Sequence, residues 1–314
     1  MKIIDNDIEV DVIGFGALNM DKLYNVENIA CNDQESFIKS QKDTPGGSAA
    51  NTIIGLSKLN KKTSFIGKIG EDEDGEAIEL NLAFNGVYTN NLIYSEEGTT
   101  GKVLGFVDKK GNRALYVDAG VNDDIKLAEI NPRNINVTRI IHFTSFVGDS
   151  FNTQKELLKD LNEDVVLSFD PGMIYVEKGL DELQVILDRT NILLINEEEL
   201  KILYKDLGAL SVKEIAKYAL DSGIDVVVVK KGSKGVFAIS PTEECDVEAF
   251  ESKVVDTTGA GDSFNSGFLY GWLNCFNLEK SCILGNFTAS KAIEAMGMEN
   301  FPSEDELKEL IDSW

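Results

Sequence analysis

The sequence predicts a layered α/β fold, a central and mostly parallel sheet flanked by helices, with a small β lid added. Two observations predict the main body. Short apolar runs rich in Val and Ile, each closed by Gly, Asn, Asp or Ser, recur along the 314 residues, which is how strands buried in a parallel sheet read. Between them lie stretches with apolar residues at helical spacing, and strand alternating with helix is the signature of layered α/β folds. In such folds ligands gather at the carboxyl ends of the strands. A third observation, a break in this rhythm in two places, predicts the lid.

The strand candidates in order are "VDVIGFG" (10–16), "TSFIGKIG" (63–70), "RIIHFTSF" (139–146), "DVVLSFD" (164–170), "ILLIN" (192–196) and "DVVVVKKG" (225–232). Among the helices, "SAANTIIGLSKLN" sets Ala50, Ile53, Ile54, Leu56 and Leu59 near one face. "SVKEIAKYALDSG" does the same with Val212, Ile215, Ala216 and Leu220, and Gly223 suits its C-terminal cap. The rhythm breaks at 99–120, "TTGKVLGFVDKKGNRALYVDAG", which alternates across a Gly-containing turn at 109–112 as an antiparallel hairpin does. It breaks again at 22–42, where further short strand-like pieces occur. With no repeat, low-complexity tract or linker, the expectation is one domain over 1–314 with lid insertions at approximately 17–43 and 97–120.

Composition narrows the function. Hydrophobic residues make up 43% and charged residues 27%, normal for a globular chain with a substantial core. Fifty-four acidic against 30 basic side chains give a net charge of -24, which repels phosphate backbones and anionic membrane surfaces. Nucleic acid and membrane are therefore not expected partners. An anionic small molecule still is, because backbone N–H groups and a bound cation make one pocket attractive inside a negative envelope. Cys31, Cys245, Cys275 and Cys282 are widely spaced without a CxxC pair, as free thiols of a reducing compartment are. The N-terminal stretch has acids where a signal peptide needs an apolar core, and no apolar run approaches the roughly 20 residues of a spanning helix. A cytoplasmic location is expected.

Several motifs carry chemistry. "DTTGAGDSFNSG" (256–267) is a Gly-rich turn that delivers the chain into a helix. Converging N–H groups and the helix dipole stabilise an anion there, with Asp262 in the first turn beside it; Asp is also a favoured cap and Gly a favoured turn former. The pattern GxxxxGK[ST] is absent, so any phosphate must be met by backbone amides and a metal. "GFGALNMD" resembles the start of a dinucleotide fingerprint but has Asn19 at the third glycine position, which leaves a nicotinamide enzyme as a minor alternative. Asn19 and Asp21 alternate at period two and point to one face of a strand, suited to gripping neighbouring hydroxyls. "TPGGSAAN" (44–51) is another small-residue turn, with Asn51 carried into a helix. "LLINEEEL" ends a strand with Asn196 and three glutamates, and "VVVVKKGSKGVFAI" reads as strand, glycine turn, strand. "GEDEDGEAI" (70–78) lacks calcium-loop spacing and reads as a solvated acidic turn. His142, the only histidine, sits inside an apolar strand and reads as core or pocket wall.

The order of these pieces resembles the ribokinase-like carbohydrate kinases, the PfkB family. The stretch 46–75, "GGSAANTIIGLSKLNKKTSFIGKIGEDEDG", is similar to the family's first signature and "DTTGAGDSFNSG" to its second; "NEEE" (196–199) and "KKGSKG" (230–235) resemble its N-x-x-E element and nucleotide loop. The resemblance covers essentially the whole chain and implies a ribokinase-like three-layer fold. It implies that Asp262 is the base for an attacking hydroxyl and that Gly259, Ala260 and Gly261 donate N–H groups to the transferring phosphate. It further implies that Asn196 and Glu199 organise Mg²⁺ and ATP through water, that Lys230, Gly232 and Gly235 line the nucleotide site, and that Asn19, Asp21, Gly46, Gly47 and Asn51 hold a sugar. Asp256 and Thr258 resemble the start of a monovalent-cation site, while "AIEAMGMENFPSED" lacks the basic residue and glycine that accompany K⁺ sites in similar proteins. Related lids pair across a homodimer. The implied activity is ATP-dependent phosphorylation of a sugar hydroxymethyl group, ribose first; a nucleoside or phosphosugar kinase and a non-catalytic binder are the alternatives. For a nucleoside, Phe143, Phe146, Tyr116 or Phe106 are the candidate shelf for the base.

Overall fold

The computed structural model describes residues 9–295 and 300–313. Thirteen strands form among them, in chain order β1 (Val10–Phe15), β2 (Asn19–Val26), β3 (Ile38–Gly46), β4 (Thr63–Gly70), β5 (Leu92–Ser95), β6 (Gly101–Asp108), β7 (Arg113–Asp118), β8 (Thr138–Thr144), β9 (Val166–Asp170), β10 (Ile192–Asn196), β11 (Val226–Lys230), β12 (Val236–Ile239) and β13 (Glu244–Val247). Nine of them make one sheet in the order β13-β12-β11-β10-β9-β8-β1-β4-β5. Every pair from β5 to β11 is parallel, and only β12 runs antiparallel to its neighbours.

Each central strand is apolar on both faces because both faces are covered. On one side Phe15, Phe143, Phe169, Ile195 and Val229 pack on the helices Ser150–Leu157, Leu180–Leu187 and Val212–Asp221. On the other side Val12, Phe65, Ile140, Leu194 and Val228 pack on Ser48–Lys58, Ala260–Leu273 and Leu278–Ala292. The three layers expected from the alternation are present, and Gly223, at φ 116, follows the end of Val212–Asp221 as its composition suggested. The glycines of "GFG" serve this packing. A Cβ at Gly14 would lie 2.5 Å from the Ile53 side chain, and one at Gly16 would lie 2.3 Å from Thr144 Oγ1. These positions bring β1 against the Ser48–Lys58 helix and Thr144.

The lid is a separate four-stranded sheet of order β3-β2-β6-β7. β6 and β7 form the hairpin expected at 99–120, and β2 pairs antiparallel with β3 and parallel with β6. β3 runs on to Gly46, three residues beyond the lid boundary expected at 43, and so joins the lid directly to the helix that opens at Ser48. Strand pairing puts Asp21, Val103 and Val117 on one lid face. Tyr24, Phe106 and Tyr116 occupy the other, where Tyr24 stacks on Phe106 with ring centroids 5.2 Å apart. Asp72 in the acidic turn caps the Glu73–Phe84 helix by accepting from Gly75 N–H, and it also clasps Thr100 at the base of the lid. The four cysteines are thiols, with Cys245 Sγ 3.8 Å from Cys282 Sγ. No helix among the described residues is long and apolar enough to cross a membrane.

Candidate active site

The sequence of β13 leads through an irregular segment to Gly259, which adopts φ 74 and starts the Ala260–Leu273 helix. This helix lies on the sheet face that carries Asp170, Asn196 and Lys230 at the ends of β9, β10 and β11. Gly55 and Ser266 let it approach the Ser48–Lys58 helix closely: a Cβ at Gly55 would lie 2.3 Å from Ser266 Oγ. That crossing brings two side chains onto Asp262. Ser48 Oγ donates to Asp262 Oδ1 at 2.6 Å, and Asn51 Nδ2 donates to Oδ2 at 2.9 Å. Burial raises the Asp262 carboxyl to about 6, against the pull of the Ser48 and Asn51 hydrogen bonds. A carboxylate that is ionised at neutral pH yet more basic than usual is well tuned to accept a proton.

Two cavities are lined by residues next to Asp262 in the chain or bonded to it. One is a cleft of about 500 Å³ whose lining includes Lys230, Gly232, Gly235, Phe250, Ala260 and Gly261. The other, of about 180 Å³, is lined by Asn19, Gly47, Ser48, Val117, Asn122 and Ser145 among others. Ala260 and Gly261 of the turn thus line the cleft, while Ser48, which donates to Asp262, lines the smaller cavity. Within the turn Ala260 N–H already donates to Thr257 O at 3.2 Å. The next N–H groups of the first helical turn have no intrahelical acceptor, as at any helix start, and carry the positive end of the dipole.

Lys230 reaches this turn. Its Nζ is 2.6 Å from Asp170 Oδ2 and 3.2 Å from Asn265 Oδ1, and Asn265 Nδ2 donates to the same Asp170 oxygen at 2.7 Å. The ammonium lies close to the turn: a Cβ built on Gly261 would stand 3.6 Å from it, in ordinary contact. Burial would push the Asp170 carboxyl up, but the Lys230 charge and the Lys230 and Asn265 hydrogen bonds bring it below the ordinary range. Asn196 and Glu199 form a capping box on the Glu197–Leu203 helix, each side chain accepting from the other's backbone N–H. Glu199 is only 8% exposed, and its carboxyl is raised by burial and by the charge of Asp170.

On the lid side Asn19 Oδ1 accepts from Asn122 Nδ2 at 3.0 Å, and Asn122 also holds both backbone groups of Leu18. Burial raises Asp21 to about 6, opposed by Arg113 and reinforced by the charge of Asp262, a second carboxyl of similar basicity. Gly46 leaves room for one of them, since a Cβ there would lie 2.5 Å from Asp21 Oδ2. Gly47 has φ 125 and a Cβ would meet Ala17 O at 2.3 Å, so only glycine fits this corner. Asn51, expected to hold a sugar, donates to Asp262. Asp256 Oδ1 accepts from Thr258 N–H at 2.9 Å, and part of the C-terminal stretch expected to complete a cation site, 296–299, lies outside the described residues.

His142 is fully buried with Nδ1 3.0 Å from Ser168 Oγ, and burial lowers it to about 4. It is a core histidine, as its apolar strand suggested. Asp170, Asn265, Ser48 and Asn122 were missed by sequence reasoning. Asp170 had a signal, an acid closing a buried strand.

Residues 10–306 match the pfkB family carbohydrate kinases. The chain belongs to this pfkB family. The pfkB kinase is 42% identical over 248 residues to an uncharacterized sugar kinase of Archaeoglobus fulgidus, covering 78% of this chain and 96% of that one. It is 32% identical over 306 residues to a nucleoside kinase of Methanocaldococcus jannaschii, covering 97% of each. The crystal structure of a Thermotoga maritima ribokinase superposes with a TM-score of 0.86 at 25% identity, over 96% of this chain and 99% of that chain. The fold is the ribokinase-like three-layer fold, and the pfkB kinase is a phosphotransferase, an ATP-dependent kinase of a small sugar-like or nucleoside-like acceptor.

Proposed function

We propose that the protein transfers the γ-phosphate of ATP to the hydroxymethyl oxygen of an acceptor built on a ribose-type sugar. One observation carries this reading: Asp262, held by Ser48 and Asn51 and raised to about 6, follows the Ala260 and Gly261 that line the large cleft and accepts from the Ser48 that lines the smaller cavity. The acceptor lies in the small cavity against Asn19 and Asp21, and the triphosphate enters the cleft over Lys230, Gly232 and Gly235. Asp262 takes the hydroxyl proton as the oxygen bonds to the γ-phosphorus and the bond to the ADP oxygen breaks. The Gly259, Ala260 and Gly261 turn holds the charge on the phosphoryl oxygens, which is where phosphoryl transfer needs help.

Mg²⁺ supplied with ATP would neutralise the triphosphate. The site suits a hard divalent cation because Glu199 and Asp170 are buried acids close enough for one to raise the other, and a cation relieves that repulsion. Glu199 and Asn196 would hold it through water. Asp256 and Thr258 are the proposed K⁺ position, and comparing rates in potassium and sodium chloride tests it.

The lid contributes Asn19 and Val117 to the acceptor cavity, so closing it shuts water out of the reaction. The aromatic face of the lid, where Tyr116 is 62% exposed, is the surface on which a second copy would pair, and sedimentation analysis tests that pairing. No Lys or Arg lines the acceptor cavity, which favours a neutral acceptor over a phosphosugar. A nucleoside kinase relative and a ribokinase neighbour agree with a ribose ring. The test is ADP release with Mg²⁺ and ATP against pentoses, hexoses, nucleosides and phosphosugars. Acceptor-dependent ADP with a ribosyl compound is expected, and silence across the panel would overturn the reading.

A further inference from the structure

The acceptor cavity is lined by polar and aliphatic side chains together. Asn19, Ser48 and Ser145 line it together with Val117, Val147 and Ile174. Those three side chains are 52%, 39% and 41% exposed. Single exposed aliphatic residues are commonplace on proteins. These three come from separate places, β7 of the lid, the loop after β8 and the Gly172–Val176 helix after β9, and meet at one rim. Two of them are turned outward by their neighbours: Phe146 beside Val147 and Tyr175 beside Ile174 are fully buried in the core. The rim is therefore fixed by packing on the sheet side and completed by the lid on the other, where Val117 shares a face with Asp21.

We infer that this rim is a seat for a nucleobase and that the preferred acceptor is a nucleoside, an inference that rests on the kinase reaction proposed above. A volume of about 180 Å³ is below the roughly 300–1,000 Å³ of pockets that enclose drug-sized ligands. It is a monosaccharide-sized space, and anything attached to the sugar projects across the rim. A free sugar offers only hydroxyls and leaves the three aliphatic groups in water. A phosphosugar would set a dianion against them with no cationic side chain in the lining. A nucleoside places its ribose among the polar groups and its flat apolar base on the rim, where covering aliphatic surface is favourable.

The aromatic residues singled out in the sequence for this task do not perform it. Phe143 and Phe146 are 0% exposed and belong to the core. Phe106 and Tyr116 lie on the lid face opposite Asp21. The seat is aliphatic, so it reads the area of a base and few of its edges, and a purine and a pyrimidine nucleoside are both accepted.

Steady-state ADP release with Mg²⁺ and ATP, comparing inosine and cytidine with ribose, ribose 1-phosphate and ribose 5-phosphate, tests the inference. Each nucleoside is expected to exceed ribose in kcat/KM by at least about tenfold, which is about 1.4 kcal/mol. Ile174→Ser and Val147→Ser are expected to bring that ratio to within about threefold of one, through KM more than kcat. Ribose used as well as the nucleosides, or a ratio unmoved by both substitutions, would overturn the inference. So would a phosphosugar preferred over every other acceptor and lost with Arg113→Gln, since Arg113 is the cation that acts on Asp21. If no acceptor releases ADP, the kinase reading itself fails. Thermal shift with a non-hydrolysable ATP analogue then decides the seat: inosine stabilising the protein more than ribose at equal concentration supports it, and equal shifts reject it.

Discussion

Replacing Asp262 by Asn separates what the carboxylate does for the reaction from what it does to the fold. In the structure its carboxyl is raised from 3.8 to about 6, chiefly by burial. A raised carboxyl stabilises the folded protein below the unfolded pKa and loses that contribution as pH climbs through the folded one. Above about pH 6 the folded state therefore carries a charge it disfavours. A shift of about two units corresponds to about 3 kcal/mol, reduced to about 1–2 kcal/mol because the carboxylate keeps part of its surface in water. Asn abolishes the ionisation but can accept only one of the hydrogen bonds from Ser48 and Asn51, a loss of about 1 kcal/mol. The two effects differ in pH dependence. Asp262→Asn should melt below the parent at pH 5 and gain on it as pH rises, a swing of about 1–2 °C by pH 8.5, since about half of the contribution is already lost at pH 5, at roughly 2 °C per kcal/mol for a chain of this size. The same variant should lose about 10²–10⁴ in kcat while ATP binding survives. Calorimetry at the two pH values and ADP release check both. A melting difference that ignores pH would refute the raised carboxyl, and an unchanged kcat would refute the base.

The wild-type kcat/KM should rise with pH through a limb near 6, where Asp262 ionises, and the residual activity of Asp262→Asn should lack that limb in a pH–rate profile. Asp170→Asn and Lys230→Met should each destabilise by about 3–5 kcal/mol by stranding a buried charge. In urea titrations the double variant should lose much less than the sum, while its KM for ATP stays raised. Gly47→Ala should destabilise by about 1–3 kcal/mol, since it imposes φ 125 and a clash with Ala17 O on an alanine, and its melting temperature checks that.

The strands were legible because both of their faces are buried and their sequences are apolar throughout; β8 to β11 fall within one or two residues of their apolar runs. The lid was legible from alternation, although β3 extends further because its end is set by the packing of Gly46 against Asp21. Asp262 was legible because turn and helix start are local in sequence. Its partners Ser48 and Asn51 are more than 200 positions away and meet it only through the close crossing at Gly55 and Ser266. Asp170 and Asn265 are similarly non-local, joined across the sheet by Lys230. The nucleobase shelf was sought among aromatic residues because aromaticity shows in a sequence. Exposure does not, and Phe143 and Phe146 proved to be core while Val147 and Ile174, in ordinary loop and helix positions, face the cavity.

The central claim is that Asp262 activates a hydroxymethyl oxygen facing the anion-holding turn. The most direct measurement is a proton-coupled phosphorus NMR spectrum of the product formed from a ribosyl acceptor. A phosphate ester coupled to the two protons of a CH₂ group, absent when Asp262→Asn replaces the parent, is the expected result. Phosphorus coupled to a single ring proton, or the same product at the same rate from the variant, would contradict it.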